Sequence, residues 1–487
     1  MSRGIQTVVV LTALAIAAAL LPASASAAPD RGIETGFADP EFLRGDAHTR
    51  SLLLDRSVRA GSDYARIVIG WLRIAPTEPV HPDRPADPAY DFKALDRAVE
   101  DAHERGLKVL FTLHSAPTWA SQGTPSGPFI AEPQSWRPDP VALGQFARAL
   151  AIRYSGKYVP PHSSSTEPLP RVSLVEPWNE PNLTAFLSPQ WENGKLVAAE
   201  RYRALLNAVY ASYHAVQPRA KVIAGATGPE GEPGPGRRTA PLKFIRALLC
   251  LHNRTQLKAT PCPQPAHFDV LSHHPISPLG EPPDRKAPGT DDAGVPEMKE
   301  LRRTLRAAER QQTVLPAING HRPLWATEIW WETSPPSVGF GAPSQRRQAR
   351  NISEALKLLW LQRVPVALFF QVRDDAVDIS PPRSGWATGV FFADDSPKQS
   401  FKAVRLPLVV ERSSRRAVSI WTRSPVDGRL KIMAGKGGKD GVVAAYEVDA
   451  GEVVKDRLKL RGPTHLTARI AGSDSLQSRV PGGRGGR

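Results

Sequence analysis

The apolar positions of the chain form short runs that alternate with longer segments in which apolar residues recur every three or four positions. Eight of the runs are rich in β-branched or aromatic residues and predict strands. They are GIETGF (32–37), YARIVIGW (64–71), KVLFTLH (108–114), VSLVEPWNE (172–180), KVIAG (221–225), FDVLSHH (268–274), PLWATE (323–328) and VPVALFFQ (364–371).

The segments between these runs predict amphipathic helices. In DFKALDRAVEDAHERG (91–106), apolar residues such as Leu95 and Val99 fall on one helix face, and Gly106 ends the helix. RYRALLNAVYASYHAV (201–216) repeats its apolar residues every four positions. Eight strand–helix units predict an α/β fold, a (β/α)8 TIM barrel over residues 29–400. An open doubly wound sheet is the alternative, but no glycine-rich phosphate-binding turn follows the first strand.

After about residue 400 the pattern changes to short alternating strands separated by Gly, Pro and Asp turns. The strands are RAVSIWTR (416–423), GRLKIMAG (428–435), GVVAAYEV (441–448), DRLKLRG (456–462) and HLTARIAG (465–472). They predict a small antiparallel β-domain, β-sandwich-like, over 401–478. Aromatic residues are few in these strands (Trp421 and Tyr446), which favours a packing role over carbohydrate binding. RVPGGRGGR at the end of the chain predicts a flexible basic tail over 479–487.

The first 28 residues predict a secretory signal peptide. Arg3 supplies a positive charge, TVVVLTALAIAAALL (7–21) is a short apolar core, and PASASAAP (22–29) offers small-residue cleavage sites. A transmembrane anchor is the alternative, but the apolar run is shorter than the roughly 20 residues that a spanning helix needs. No cysteine follows the run for lipid attachment. We therefore expect a secreted or cell-wall-associated protein with no membrane span after cleavage.

The composition is that of an ordinary globular protein, with 487 residues of which 41% are hydrophobic and 23% charged. This length accommodates one large domain and a smaller one. The formal charge of +15 suggests nucleic-acid binding at first sight. However, the basic residues are dispersed, and no zinc-finger, RNA-recognition or helix-turn-helix signature is present. We therefore expect no nucleic-acid partner, and a basic surface that favours association with anionic cell-wall polymers.

The two cysteines, Cys250 and Cys262, flank the polar segment LHNRTQLKATP. A disulfide between them agrees with export, and closing a loop of this length contributes roughly 3 kcal/mol to stability. Two unpaired buried thiols are the alternative. Two cysteines do not make a zinc site, and no histidine cluster completes one, so we expect no metal.

Polar and aromatic residues collect at or just beyond the C-terminal ends of the predicted strands. They include Arg66, Trp71, His114, Trp119, Asn179, Glu180, His273, His274, Glu328 and Gln371. In a barrel these ends share one face, where active sites are built. Long connections rich in Pro and Gly, 227–241 and 275–294, follow the same ends and are candidate cleft walls.

Two carboxylates at the ends of different strands suit one particular chemistry. Hydrolysis of a glycosidic bond with retention needs two carboxyl groups about 5–5.5 Å apart, one as acid and the other as nucleophile. Glu180 and Glu328 meet this description, because each ends its own strand on the same face of the barrel. Salt-bridged strand ends are the structural alternative for both.

The motif EPWNEPN (176–182), followed much later by PLWATEIWW (323–331), resembles the retaining clan A glycoside hydrolases. The similarity is to families 39 and 5 and the actinobacterial cellulase-like proteins near them, and it covers roughly residues 33–400. It implies Glu180 as the general acid/base and Glu328 as the nucleophile. It also implies that Arg66 hydrogen-bonds the nucleophile and that Asn179 contacts the 2-hydroxyl of the sugar.

Further side chains are candidates for contacting sugars. His114 and His274 suit hydroxyl recognition, although satisfied structural histidines are nearly as common. Large aromatic rings stack on sugars, although any single ring is more often packing. The candidates are Trp119, Trp330, Trp331 and Trp386. We expect Glu332 to face solvent or cap a loop, and Glu176 to be structural, facing the same side as Glu180 but deeper in the barrel.

The sequence departs from the family pattern at two positions. In SHHPISP (272–278), Ile276 stands where the family usually has a tyrosine that contacts the nucleophile. In LFFQVRDD (368–375), Phe370 stands where many relatives have a tryptophan beneath the sugar. Both changes support an alternative hypothesis, a weak or inactive carbohydrate-binding protein of the cell envelope on the same barrel.

The hypothesis that best accounts for these patterns is a secreted retaining glycoside hydrolase that acts on an oligo- or polysaccharide. The resemblance implies double displacement by two glutamates, with no metal and no organic cofactor. The glycan is then the main partner, and the identity of the sugar and linkage depends on the long loops.

Overall fold

The structure is a computed structural model that describes residues 32–127, 129, 132–161, 165–277, 280–335, 341–378, 380, 384–436, 439–460 and 464–480. The predicted signal peptide, residues 1–28, and residues 481–487 of the predicted tail lie outside these ranges. In the described part of the chain, no helix combines the length and apolarity needed to cross a membrane.

Eight parallel strands close into a barrel, which confirms the predicted TIM-barrel fold. The strands are β1 (Glu34–Ala38), β2 (Tyr64–Gly70), β3 (Lys108–His114), β4 (Leu174–Glu176), β5 (Lys221–Thr227), β6 (Val270–His273), β7 (Leu324–Ile329) and β8 (Val366–Phe370). Each pairs with the next in sequence, and β8 pairs with β1. β4 ends four residues earlier than predicted, because Pro177 has no N–H to donate to the sheet.

Helices surround the barrel and cover its outer face. They are α1 (Glu41–Arg44), α2 (Ala47–Arg59), α3 (Trp71–Ile74), α4 (Lys93–Glu104), α5 (Pro140–Arg153), α6 (Ala198–Val216), α7 (Pro241–Leu248), α8 (Met298–Arg310), α9 (Gln345–Leu361) and α10 (Gln399–Arg405). In α4, Leu95 and Val99 are buried as their spacing predicts. Gly106, just beyond the end of α4, has φ of +72°, a conformation that glycine adopts at little cost.

The barrel interior is built in layers, because alternate residues of a strand point to the same side. The lower layer is apolar and includes Tyr64, Leu110, Leu174, Val270 and Trp325. Two residues further along the same five strands, the side chains are polar: Arg66, Thr112, Glu176, Ser272 and Thr327. All five are buried, so a polar layer lies directly on the apolar one.

After α10 the chain forms antiparallel strands. They are β9 (Leu408–Ser414), β10 (Ala417–Arg423), β11 (Gly428–Lys436), β12 (Lys439–Val448), β13 (Val453–Lys459), β14 (Thr464–Ile470), β15 (Ser473–Asp474) and β16 (Ser478–Val480). One sheet has the order β9-β10-β13, and the other is β12-β11-β14-β15 with β16 beside β14. Apolar side chains of both sheets, such as Ile420 and Ile432, form one cluster.

The limits of the predicted accessory domain are not visible as breaks in the chain. The described residues from 32 onwards form one compact unit, and Trp421 of β10 belongs to the apolar cluster of the barrel. Helix α10 spans the predicted boundary at residue 400. At the other end, Arg479 and Val480 continue β16, so the predicted tail does not begin at residue 479.

The predicted disulfide between Cys250 and Cys262 is present, with a Cα–Cα distance of 5.8 Å. It closes the loop that contains the short antiparallel pair Leu251–His252 and Lys258–Ala259. This loop follows α7, at the N-terminal side of β6. The disulfide therefore lies at the face of the barrel opposite the C-terminal ends of the strands.

Candidate active site

Glu176 is the centre of the buried polar layer. Its Oε2 accepts hydrogen bonds from Arg66 Nη2 at 2.9 Å and from Thr112 Oγ1 at 2.8 Å. Its Oε1 accepts from Ser272 Oγ at 2.7 Å and from Thr327 Oγ1 at 2.9 Å. Side chains from four other strands thus donate to the carboxylate of Glu176, and these hydrogen bonds connect five strands at the polar layer of the barrel.

The charges of this layer stabilise each other. Burial alone would raise the pKa of Glu176, but Arg66, His274 and the hydroxyls that donate to it lower that pKa below its ordinary value of 4.5. Burial likewise disfavours the charged form of Arg66, yet Glu176 and Glu328 raise its pKa above the ordinary value of an arginine. Arg66 is fully buried, so its guanidinium is a fixed cation inside the barrel.

Glu328, near the end of β7, lies next to the guanidinium of Arg66. Arg66 Nη1 donates to Glu328 Oε2 at 2.9 Å, and Trp330 Nε1 donates to Glu328 Oε1 at 3.2 Å. The Glu328 side chain is 17% exposed, so it is still partly accessible. A carboxylate held by two donors and still accessible has the properties of an oriented anionic nucleophile.

Glu180 reaches the same place from the loop after β4. Its backbone has φ of +38°, and its N–H donates to the carbonyl of Ala226 at 2.9 Å. A Cβ atom at Gly228 would lie 3.1 Å from Glu180 Oε1, so the glycine allows this close approach. Asn182 holds Gly228 in place by accepting from its N–H at 2.8 Å and donating to its carbonyl at 3.1 Å.

His274 links the two carboxylates. Its Nδ1 lies 3.0 Å from Glu180 Oε1 and 3.8 Å from Glu328 Oε2, so those two oxygens are at most 6.8 Å apart. The other ring nitrogen, Nε2, faces Arg66 Nη2 at 3.5 Å. Because a guanidinium has only donors, Nε2 carries the lone pair and Nδ1 carries the proton. His274 therefore donates to Glu180.

A cavity of about 700 Å³ lies beside Glu180. Glu180 forms part of its wall, and Glu328 is joined to that wall through Trp330. Trp330 and Trp386 stand side by side, with ring centroids 5.3 Å apart. Trp386 is 42% exposed and offers an apolar surface for a ligand. Opposite these rings, the wall includes Leu183 and Arg238.

The other predicted site residues lie at different depths. Asn179 Oδ1 accepts from Arg66 Nη2 at 2.9 Å, so Asn179 joins the same network. His114 ends β3, and its Nδ1 lies 2.7 Å from the hydroxyl of Ser115. Burial lowers the pKa of His114 to about 4, with a smaller contribution from nearby arginines, and this keeps the imidazole neutral.

Trp119 packs edge-on against Trp71 and donates to the carbonyl of Ala75, away from the cavity described above.

The two departures from the family pattern also have clear positions. Ile276 is buried and contributes an apolar patch to the cavity wall. Phe370 ends β8 beside Ala38 of β1 and is partly exposed. Glu332 is 7% exposed and therefore does not face solvent. It accepts from the N–H of Ala387 at 3.3 Å, which agrees with the loop-capping alternative.

Among the described residues, no group of three His, Cys, Asp or Glu side chains is arranged to hold a metal ion. The carboxylates of the site instead have donors from protein side chains: Arg66, His274 and Trp330. This arrangement suits acid, base and nucleophilic chemistry by the protein itself.

No protein-family model and no curated protein matches the sequence. Among solved structures, a family 39 glycoside hydrolase from the gut symbiont Bacteroides cellulosilyticus WH2 aligns over 89% of this chain and 81% of its own, with a TM-score of 0.51 and 17% identity. The chain has the fold of family 39 glycoside hydrolases. A glucosidase from Croceicoccus marinus aligns over 89% of this chain and 94% of its own, with a TM-score of 0.49 and 13% identity. The GH39 enzyme from Xanthomonas axonopodis pv. citri aligns over 89% and 93%, with a TM-score of 0.47 and 14% identity.

The sequence patterns did not single out Thr112, Ser272 and Thr327 as site residues. The signal was present, because each hydroxyl stands two residues after an apolar residue in its strand, as Arg66 and Glu176 do. Asn182, whose side chain joins the loops after β4 and β5, was not predicted either. No local periodicity marks Asn182, since its partners lie 46 and 57 residues away.

Proposed function

We propose that this protein is a secreted retaining glycoside hydrolase that cleaves O-glycosidic bonds of an oligo- or polysaccharide. The observation that carries the proposal is the convergence of Glu180, from the loop after β4, and Glu328, from β7, on the imidazole of His274 beside a cavity that Glu180 lines. Their nearest oxygens are at most 6.8 Å apart, which is compatible with the spacing of about 5–5.5 Å typical of retaining enzymes. The fold shared with family 39 glycoside hydrolases supports the same reaction class.

Glu328 is the nucleophile in this proposal. Its carboxylate attacks the anomeric carbon, the bond from that carbon to the departing oxygen breaks, and a covalent glycosyl ester forms. Arg66 and Trp330 orient the carboxylate before attack. They also receive it as an anion when the ester is hydrolysed in the second step. Arg66 remains fixed throughout, because Glu176 and Thr112 hold the other edge of its guanidinium.

Glu180 is the general acid and then the general base. It gives its proton to the departing oxygen in the first step, and it takes a proton from the attacking water in the second. Since Glu180 Oε1 accepts from His274 Nδ1, the proton of the acid form resides on Oε2. His274 thus decides which oxygen of Glu180 delivers the proton.

The remaining sugar contacts follow from the cavity walls. Trp330 and Trp386 are the proposed ring surfaces for the apolar face of a pyranose. Asn179, which accepts from Arg66, is the proposed contact of a hydroxyl next to the reacting carbon. His114 and His274 remain predicted substrate contacts, whereas Trp119 donates to the carbonyl of Ala75 and does not line this cavity. Export by the N-terminal segment, and association of the basic surface with anionic cell-wall polymers, belong to the same proposal.

The test begins with purified protein and a panel of aryl glycosides and polysaccharides. With the best substrate, Glu328→Ala should abolish turnover, and azide should restore it by replacing the carboxylate. Glu180→Ala should lose most activity on poor leaving groups and least on activated ones. Glu104→Ala, an exposed carboxylate on α4, is the matched control and should behave as wild type.

A 2-deoxy-2-fluoro glycoside of the accepted sugar should add its glycosyl mass to the peptide that contains Glu328. Turnover by Glu328→Ala without any added nucleophile would contradict the assignment. Equal loss across all leaving groups in Glu180→Ala would remove its acid role. Glycan binding with no hydrolysis over days would favour the alternative of a non-catalytic binding protein.

A further inference from the structure

A second cavity, of about 500 Å³, lies on the same face of the barrel as the catalytic cavity. Its walls come from the loop after β3, which includes Trp136 and Arg137, and from the loop after β4, which includes Thr184. A short hairpin, Trp191–Glu192 paired with Lys195–Leu196, closes one side. None of these residues belongs to the machinery assigned above.

A thin partition separates the two cavities. Leu183 and Arg238 form a β-bridge, and the N–H of Thr184 donates to the carbonyl of Arg237 at 2.8 Å. Leu183 and Arg238 line the catalytic cavity, whereas Thr184 and Gly236 line the second one. One pair of segments, 183–184 and 236–238, thus contributes to the walls of both cavities.

The partition is built to be rigid. Asn182, at its base, is fully buried and donates to the carbonyls of Gly228 and Thr239. The N–H of Thr239 donates back to the carbonyl of Asn182 at 2.8 Å. Because Glu180 precedes Asn182 by only two residues, the second cavity adjoins the catalytic one on the side of the proposed acid.

The chemistry of the second cavity matches a sugar ring. Trp191 is partly exposed, and the ammonium of Lys243 covers one of its faces at 4.5 Å from the ring centroid. Arg137 and Glu192 form an ion pair at the cavity wall, with side chains 35% and 31% exposed. A planar ring beside planar donors and acceptors is the combination that binds the apolar face and the hydroxyls of a pyranose.

Polar atoms in the walls support a polar ligand. Within the described part of the chain, Trp136 Nε1 and Gln190 Oε1 are buried and have no hydrogen-bond partner. Both residues line this cavity, and the Gln190 amide nitrogen already donates to two backbone carbonyls. Buried polar groups are rarely left unpaired in folded proteins, so partners from a bound ligand or from its ordered water are expected here.

We propose that the second cavity is a subsite for a sugar of the departing part of the substrate, so that the enzyme prefers an oligo- or polysaccharide to a simple glycoside. This inference rests on the proposed function, because it takes the side of Glu180 as the side of the leaving group. A glycan that leaves the catalytic cavity on that side crosses the partition and enters the second cavity. Trp191 and the Arg137–Glu192 pair then bind a sugar that is remote from the bond being cleaved.

The test compares Trp191→Ala with wild type on two kinds of substrate of the same accepted sugar. An aryl glycoside has no sugar in its leaving group, and a hexasaccharide has several. We expect KM for the hexasaccharide to rise about tenfold, the effect of losing one aromatic contact, with kinetics on the aryl glycoside within twofold of wild type. Trp191→Phe keeps a ring and should restore most of the hexasaccharide affinity.

Equal loss on both substrates, or no change on the hexasaccharide, would overturn the subsite while leaving the proposed function intact. Should wild type hydrolyse nothing, the proposed function fails, and calorimetry with hexasaccharides of glucose, xylose, mannose and N-acetylglucosamine tests the subsite directly. Binding that Trp191→Ala weakens about tenfold would support the subsite. Absence of binding to all four, or equal binding by both proteins, would overturn it.

Discussion

Replacing Glu176 by glutamine changes the charge at the centre of the barrel and almost nothing else. The glutamine carbonyl can accept from Arg66 and Thr112, as Oε2 does now. The amide nitrogen must then face Ser272 and Thr327, whose hydroxyls can turn to accept. Ser272 has a second acceptor for its own proton, the carbonyl of Ala224 at 3.1 Å. The variant therefore keeps the shape and most hydrogen bonds, and it loses the anion opposite Arg66.

The magnitude follows from the burial of both charges. Arg66 and Glu176 have fully buried side chains, and their closest contact is 2.9 Å. Removing one partner of a buried ion pair leaves an uncompensated charge and destabilises a protein by about 3–5 kcal/mol. Glu328 still faces Arg66 in the variant, so we expect the lower end of this range.

Urea unfolding across a range of pH is the assay, because the charge gives the effect a characteristic pH dependence. The pKa of Glu176 is lowered in the folded state. A lowered carboxyl pKa contributes stability that is fully present above the unfolded value and is lost as pH falls through the folded value. The difference between wild type and Glu176→Gln should therefore be largest near pH 7 and should shrink below about pH 4.5.

Thr327→Val is the matched control, since it removes one hydrogen bond to the same carboxylate and keeps the charge. It should lower the free energy of unfolding by about 1.5–3 kcal/mol, and it should leave Arg66 paired with Glu176. Its difference from wild type should persist over the pH range in which Glu176 is ionised. A loss below about 1 kcal/mol in Glu176→Gln that does not vary with pH would refute the reasoning, because the buried pair would then contribute little.

Three further predictions concern other parts of the protein. Arg66→Lys replaces a fork of donors by a single ammonium, so kcat on an aryl glycoside should fall about 10²-fold, and an unchanged kcat would contradict the role of the fork. In wild type, the lowered pKa of buried His114 reduces the free energy of unfolding by up to about 3 kcal/mol as pH falls from about 6.5 to about 4. His114→Asn removes this group, so its free energy of unfolding should vary less with pH over the same range. An unchanged urea profile would show that His114 takes up its proton in the folded state. Replacing Cys250 and Cys262 by serine should lower the free energy of unfolding by about 3 kcal/mol without altering kcat, and a change in kcat would link the loop to the site.

The barrel could be predicted from the sequence because its signals are local. Strand residues alternate and helix residues recur every three or four positions, so the eight units stand out in short windows. The polar ends of the strands identified the face of the site in the same way. Arg66 was expected to contact Glu328, and the structure shows that contact at 2.9 Å, although the two residues are 262 positions apart.

The walls of the cavities could not be predicted, because they depend on contacts between distant loops. The bridge between Leu183 and Arg238 joins segments with no shared pattern of apolar residues. Trp119 illustrates the same limit: its position after β3 suits a sugar contact, but its indole N–H donates to the carbonyl of Ala75. Whether an aromatic residue beyond a strand faces a ligand or the core is decided by the neighbouring loop.

Glu176 and Glu180 show that the alternation of a strand can predict the direction of a side chain that lies beyond the end of the strand. Its even offset from Glu180 suggested that both side chains face inward, and both do, yet β4 ends at Glu176 and Glu180 adopts a left-handed backbone conformation. The regular part of the strand fixes Glu176, which holds Arg66. The irregular part brings Glu180 into contact with His274. It then continues to Asn182, at the base of the partition between the two cavities. One stretch of seven residues, 176–182, thus provides both the rigid support beneath Glu180 and Glu328 and the irregular chain around them. This is possible because Pro177 ends the sheet pairing directly after the buried Glu176.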